Sequence, residues 1–149
     1  MKAILQRVTE ASVEVDGRVV GKIQDGLMVL LGVAKGDQDS DVRFVVDKIG
    51  NLRIFSDDHG KMNRSLTDVG GAVLLVSQFT LLGSTANGRR PSFDEAAPPN
   101  QAKQLYEQVA QGLREGGTRV ETGVFAAHMQ VALVNDGPVT FVVDSRHGR

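Results

Sequence analysis

Ser77, Gln78 and Thr80 are the polar side chains best placed for chemistry. They close the most apolar run of the chain, Val73-Leu-Leu-Val-Ser-Gln-Phe-Thr-Leu-Leu82. Read as a strand, the run puts Ser77 with Phe79 on one face and Gln78 with Thr80 on the other. A buried Gln must satisfy two donors and an acceptor or carry a penalty of about 1–3 kcal/mol. On the residues alone, an edge or barrel strand with these side chains in water is the simpler account, because Ser and Thr are ordinary in strands. A hydroxyl nucleophile needs a base. His59 falls in a turn, His128 at a strand start and His147 in the C-terminal tail, and all three read as solvated. No His and carboxylate flank Ser77 or Thr80 at a recognisable spacing. This weakens a Ser-His-Asp hydrolase but leaves it open, because triad partners can be remote in sequence. The chain has no Cys, which excludes thiolate catalysis, disulfides and Cys-ligated metals. HExxH, EF-hand and P-loop patterns are lacking, so no metal site is expected.

Asn135-Asp-Gly-Pro-Val-Thr140 is the second unusual stretch. It lies between two strand-like runs, 128–134 and 139–143, so a hairpin turn is expected, and Asn, Asp and Gly suit one. Pro138 fits poorly there, since it removes a ladder donor where the returning strand begins. X-Pro bonds can be cis, usually as a feature of a tight turn. Arg7 sits in the first strand, where the local alternation leaves its burial open. A buried Arg needs partners for its donors and can brace backbone carbonyls. Arg89-Arg90 before Pro91 reads either as a phosphate contact or as an exposed loop pair. Asp57-Asp58 reads as a solvated turn pair.

These residues need a scaffold. Segments 3–15, 18–24 and 27–33 read as three antiparallel strands joined by the Asp16-Gly17 and Asp25-Gly26 turns. Leu27-Met-Val-Leu-Leu-Gly-Val33 is continuously apolar and is expected to be buried on both faces. A helix follows, with caps at 37–40, apolar Val42, Val45, Val46 and Ile49, and a stop at Gly50-Asn51. Short strands are expected at 52–55 and 61–65. A second helix starts at Pro98-Pro99-Asn100, carries an Ala102, Leu105, Tyr106, Val109, Leu113 stripe, and stops at Gly116-Gly117. Further strands read over 118–124, 128–134 and 139–143, and 145–149 reads as a frayed tail. The class is α+β: a curled, mainly antiparallel sheet or partial barrel with two helices packed outside.

With 149 residues, the chain suits one domain with a real core. Its 41% hydrophobic and 23% charged residues are an ordinary globular balance. The formal net charge of −1 gives no global pull toward nucleic acid. An RNA partner would have to be held by a local basic patch or recognised end-on. The first residues turn polar too early for a signal peptide, and no apolar run reaches the ~20 residues of a membrane span. A soluble cytoplasmic protein is expected.

Five motifs now occur in order: Gln6-Arg7-Val8, Ser77-Gln-Phe-Thr-Leu81, Gly88-x-Arg-Pro-Ser-Phe93, Gly123-x-Phe-x-Ala-x-Met129 and Asn135-Asp-Gly-Pro-Val-Thr140. Together they resemble the D-aminoacyl-tRNA deacylase family over essentially the whole chain. The resemblance implies hydrolysis of the ester joining a D-amino acid, or mischarged glycine, to the 3′-terminal adenosine of tRNA. It implies a homodimer with sites at the subunit interface and no cofactor. Ser77, Gln78, Phe79 and Thr80 would line the ester site. Gly137-Pro138, cis in the family, would come from the partner subunit, held in place by Arg7. Asn135 and Met129 join the expected substrate-binding set, although Met129 and Phe125 equally suit a core. A rigid main-chain wall rejects an L side chain by clash and reads no side chain of the D isomer.

Two mechanisms stay open. In one, the Phe79 backbone N–H stabilises the oxyanion and the substrate's own 2′-hydroxyl assists attack. In the other, Thr80 is a covalent nucleophile. A non-catalytic tRNA- or protein-binding module and a small-molecule hydrolase are the rivals from other classes.

Overall fold

β1 (Lys2–Val15) is the spine of the sheet. The computed structural model describes residues 1–147, and Gly148 and Arg149 lie outside the described residues. On one edge, β1 pairs first with β3 (Gly26–Gly32) along Lys2–Val8 and then with β2 (Arg18–Ile23) along Ala11–Val15. Its other edge carries β8 (Gln130–Asp144) from Lys2 to Glu14. These three pairings are antiparallel. β3 then pairs in parallel with β6 (Ala72–Ser77), and β6 with β7 (Val120–Thr122). The sheet curls until its ends nearly meet: a Cβ on Gly21 of β2 would stand 2.8 Å from the Thr122 carbonyl oxygen of β7. The result is the expected α+β class, a mixed sheet almost closed into a barrel.

Two cores lie on the two faces of this sheet. Strand alternation sends Leu27, Val29 and Leu31 outward to the helices and Met28 inward, so β3 is buried on both sides as its apolar run predicts. The outer core adds Ala3, Leu5, Val73 and Leu75 and is covered by α1 (Asp39–Asn51) and α3 (Pro99–Glu115). The inner core holds Val8, Ala11, Val13, Leu74 and Val76. Alternation takes β1 from Ala3 and Leu5 on the outer face to Val8 on the inner one, but Ala11 and Val13, also odd-numbered, face inward too. The register against β8 shifts between Val8 and Glu10, and a one-residue slip turns the following side chains to the opposite face.

Several expectations are corrected. Among the described residues there are three α-helices rather than two, because Leu66–Val69 forms a single-turn α2 capped by Ser65. The two expected short strands are present, shorter than read, as β4 (Phe55–Ser56) and β5 (Met62–Arg64) in a small hairpin apart from the main sheet. The first helix is capped within the expected 37–40, by Gln38, whose backbone N–H donates to Asp41 Oδ2 at 2.8 Å. Gly50 lies inside that helix, and it is Leu52, in extended conformation, that ends it.

The frayed tail is not observed over residues 145–147. Ser145 is fully buried, accepts from the Met1 ammonium at 2.9 Å and donates to Asp41 Oδ1 at 2.6 Å. The same ammonium pairs with Asp37 Oδ2 at 2.8 Å, with both groups essentially out of solvent. A buried ammonium must be compensated, and this requirement ties the end of the chain to its start. No helix among the described residues is long and apolar enough to cross a membrane.

Candidate active site

The polar end of the apolar run does not continue as a strand. β6 stops at Ser77, opposite Leu31, and the Gln78 N–H donates to the Leu31 carbonyl at 2.8 Å. The chain then leaves the sheet into a 3-10 turn, Phe79–Leu82. Strand alternation therefore lapses at Gln78, and the expected division of side chains between two faces does not hold beyond it. Phe79, as the first residue of the turn, has an N–H with no carbonyl inside the turn to bond. The residue is 55% exposed, and its ring meets Phe93 edge-on at 5.0 Å.

This turn forms one wall of a cleft of about 730 Å³. Ser77, Gln78, Phe79, Phe93, Phe125 and Met129 line it. The ionisable groups lining it are Lys35 and His128, with no carboxylate among them. Thr80 is not among the lining residues. Its hydroxyl accepts a hydrogen bond from Gln78 Nε2. Met129 serves both expected roles, lining the cleft and packing against the inner core. Gly123 makes room for it, since a Cβ there would lie 2.6 Å from the Met129 sulfur. Phe125 likewise lines the cleft and packs on the outer core, 6.0 Å from the Tyr106 ring.

The base of this wall is braced. Tyr106 of α3 donates its hydroxyl to the Leu75 carbonyl at 2.8 Å, and the Gly123 N–H donates to the same oxygen at 3.2 Å. Burial pushes the Tyr106 phenol up to about 12, so it stays a donor across the ordinary pH range.

The segment around Pro138 is a bulge rather than a hairpin turn. Gln6 faces Thr140 and Val8 faces Asn135, so residues 136–139 stand opposite Arg7 alone. Both flanking strands belong to β8 and pair with β1, which is why the chain does not reverse. The Gly137–Pro138 peptide is cis. Arg7 is only 9% exposed. Its Nε donates to the Asp136 carbonyl at 3.1 Å and lies 3.3 Å from that residue's carboxylate, and Nη1 donates to the Ile54 carbonyl at 2.8 Å. Asn135 Nδ2 donates across the neck of the bulge, to the carbonyls of Arg7 at 2.9 Å and Val139 at 3.0 Å.

Cleft and bulge do not meet within one chain. Arg7 faces Leu27, which faces Val73. Ser77 lies four residues further along β6, about 13 Å at the usual strand rise. The structure thus gathers Ser77, Gln78, Phe79 and Met129 in one place, and Arg7, Asn135, Gly137 and Pro138 in another. Sequence reasoning did not assign Lys35, Phe93 or His128 to a site. For Phe93 a signal existed, as the aromatic end of the Gly88-x-Arg-Pro-Ser-Phe93 motif; for the other two none did.

The profile of the family described as D-Tyr-tRNA(Tyr) deacylase matches residues 4–144. This chain belongs to that deacylase family. A D-aminoacyl-tRNA deacylase of Anaeromyxobacter dehalogenans is 60% identical over 146 residues, covering 98% of both chains. One of Thermosipho africanus is 56% identical over 146 residues with the same coverage. A solved structure described as the c-Myc DNA Unwinding Element Binding Protein superposes with a TM-score of 0.91. It is 41% identical and covers 97% of this chain and 98% of its own. In this deacylase-family chain, strand β6, its 3-10 turn and the 123–129 segment together supply a cleft lining that holds no carboxylate.

Proposed function

We propose that this chain is an aminoacyl-tRNA editing hydrolase. It cleaves the ester of D-aminoacyl-tRNA, and of tRNA mischarged with glycine, releasing free amino acid and tRNA in the cytoplasm. Near-complete matches to relatives named D-aminoacyl-tRNA deacylases support the reaction. The terminal adenosine and its ester sit in the cleft over Ser77, Gln78 and Phe79. The developing oxyanion takes the Phe79 N–H, and the substrate's 2′-hydroxyl assists attack.

The observation that carries this mechanism is the Gln78–Thr80 contact. Thr80 receives a proton donor from Gln78 where a nucleophile would need a base. A covalent Thr80 is the weaker reading for that reason.

Selectivity comes from a second copy of the chain. Its Gly137-Pro138 main chain closes the cleft and clashes with an L side chain, while a D side chain and glycine pass. Two features support this assembly. The bulge cannot reach the cleft of its own chain. Among the described residues β8 pairs with β1 alone, which leaves a long open edge. Along it, Val131, Val134, Phe141 and Val142 are 37–71% exposed. Such an edge invites pairing unless covered. A two-fold dimer would build two equivalent composite sites.

The deciding assay offers purified protein D-Tyr-tRNA, L-Tyr-tRNA and Gly-tRNA. Release of amino acid from the first and third but not the second is expected. Binding of tRNA without release would make the chain a non-catalytic binding module and overturn the proposal.

A further inference from the structure

A hairpin stands beside the cleft and takes no part in the proposed ester hydrolysis. Ser84 and Ser92 close it with two backbone bonds of 2.8 and 3.0 Å, and Gly88 turns its tip at a φ of +70°. Residues 84–93 carry Arg89 and Arg90 and no carboxylate. Both arginines are exposed, and neither forms an ion pair among the described residues.

The hairpin is joined firmly to the cleft at its base. Phe93 packs on Phe79 and lines the cleft, and it crowds Gly83, where a Cβ would stand 2.9 Å from its ring. The segment leaving Phe93 runs antiparallel beside Lys35, whose N–H donates to the Glu95 carbonyl at 2.9 Å, next to an Ala34–Ala96 bridge. Glu95, the acid nearest Lys35 along that strand, has its carboxylate 3.7 Å from Arg146 Nη1. Arg89 and Arg90 on the hairpin and Lys35 in the cleft lining thus lie on segments joined through Phe93, beside a cleft with no carboxylate in its lining, on a chain whose net charge is −1. Such local concentration of charge attracts polyanions even when the whole molecule does not.

We propose that Arg89 and Arg90, with Lys35 at the rim, hold the phosphates of the RNA strand leading into the cleft. This rests on the reading of the cleft as the seat of the terminal nucleotide. The hairpin then adds affinity for tRNA over any free aminoacyl ester, without touching the reacting atoms. It reads backbone charge and not sequence, because Arg–phosphate pairs carry no base information. Guanidinium forks suit phosphate oxygens bidentately.

The test compares wild type with the Arg89→Ala/Arg90→Ala variant in two assays. The first is fluorescence-anisotropy binding of deacylated tRNA across salt. Two lost single-strand phosphate contacts should lower the slope of log K against log salt by about 1.4. Between 50 and 200 mM salt the wild type should lose about sevenfold more affinity than the variant. The second assay is turnover of D-Tyr-tRNA against the D-tyrosyl ester of adenosine, which has no upstream phosphate. KM should rise for the first and stay unchanged for the second, with kcat retained in both. The Arg89→Lys/Arg90→Lys variant should recover most of the slope. An unchanged slope overturns the proposal, and so does equal loss on both substrates. The binding arm does not depend on catalysis. A protein that binds tRNA with the expected slope but releases no amino acid would retain this inference while sinking the proposed reaction.

Discussion

At the scale of single residues, the two mechanisms separate on one hydroxyl. Because Gln78 donates to Thr80, Thr80→Ala is expected to keep most of its turnover while circular dichroism reports an intact fold. A 2′-deoxy terminal adenosine should abolish turnover with the wild-type protein. The opposite pair of results would make Thr80 the nucleophile. Tyr106 offers a measurement independent of activity. Its phenol is raised by burial from about 10 to about 12, so the folded state holds that proton more tightly than the unfolded one. The stabilisation is therefore complete below about pH 10 and is lost as pH rises toward about 12. Wild-type stability in urea should fall over that window more steeply than that of Tyr106→Phe. Near neutral pH the variant should lose about 0.5–1.5 kcal/mol, because the Leu75 carbonyl keeps its bond from Gly123.

At the scale of elements, the bulge in β8 shows how one side chain can organise a segment. Residues 136–139 forgo pairing with β1, and Arg7 and Asn135 bond the Asp136 and Val139 carbonyls instead. Arg7 bonds two separate elements at once, through Asp136 and Ile54. Lys offers a point charge where Arg offers a planar fork, so it cannot serve both carbonyls in the same geometry. Arg7→Lys is expected to lose about 1–3 kcal/mol of stability. It should also begin to hydrolyse L-Tyr-tRNA while D-Tyr-tRNA turnover persists. Selectivity as strict as wild type would show that Arg7 does not position the bulge. The strand content around this segment was legible from alternation. That the two strands are one was not, because a bulge and a turn share the same Asn-Asp-Gly chemistry and differ only in what pairs on the far side.

At the scale of the molecule, the chain ends meet in a buried polar knot. Asp37→Ala removes the carboxylate paired with the Met1 ammonium, while the bond to Ser145 Oγ stays. Breaking a buried pair by deleting one member costs about 3–5 kcal/mol, which a shift in the urea midpoint would report. The proposed assembly makes a further demand. Sedimentation should give twice the chain mass, and specific activity on D-Tyr-tRNA should fall on dilution below the dissociation constant. A monomer active at every dilution would remove the cross-subunit wall.

Composition and local pattern by themselves determined the class of fold, the doubly buried strand 27–33, the stripe of the long helix and the five motifs that mark the family. These follow from side-chain period and turn chemistry, which act over a few residues. Where the motifs stand relative to one another was decided only by tertiary structure. Lys35, Ser77, Phe93 and Met129 share a cleft because the sheet curls and a turn breaks β6 after Ser77. Alternation along one strand says nothing of where that strand ends or what curls over it. The apparent tail proved structural over residues 145–147 for the same reason: what holds Ser145 is the amino group of Met1, at the opposite end of the chain.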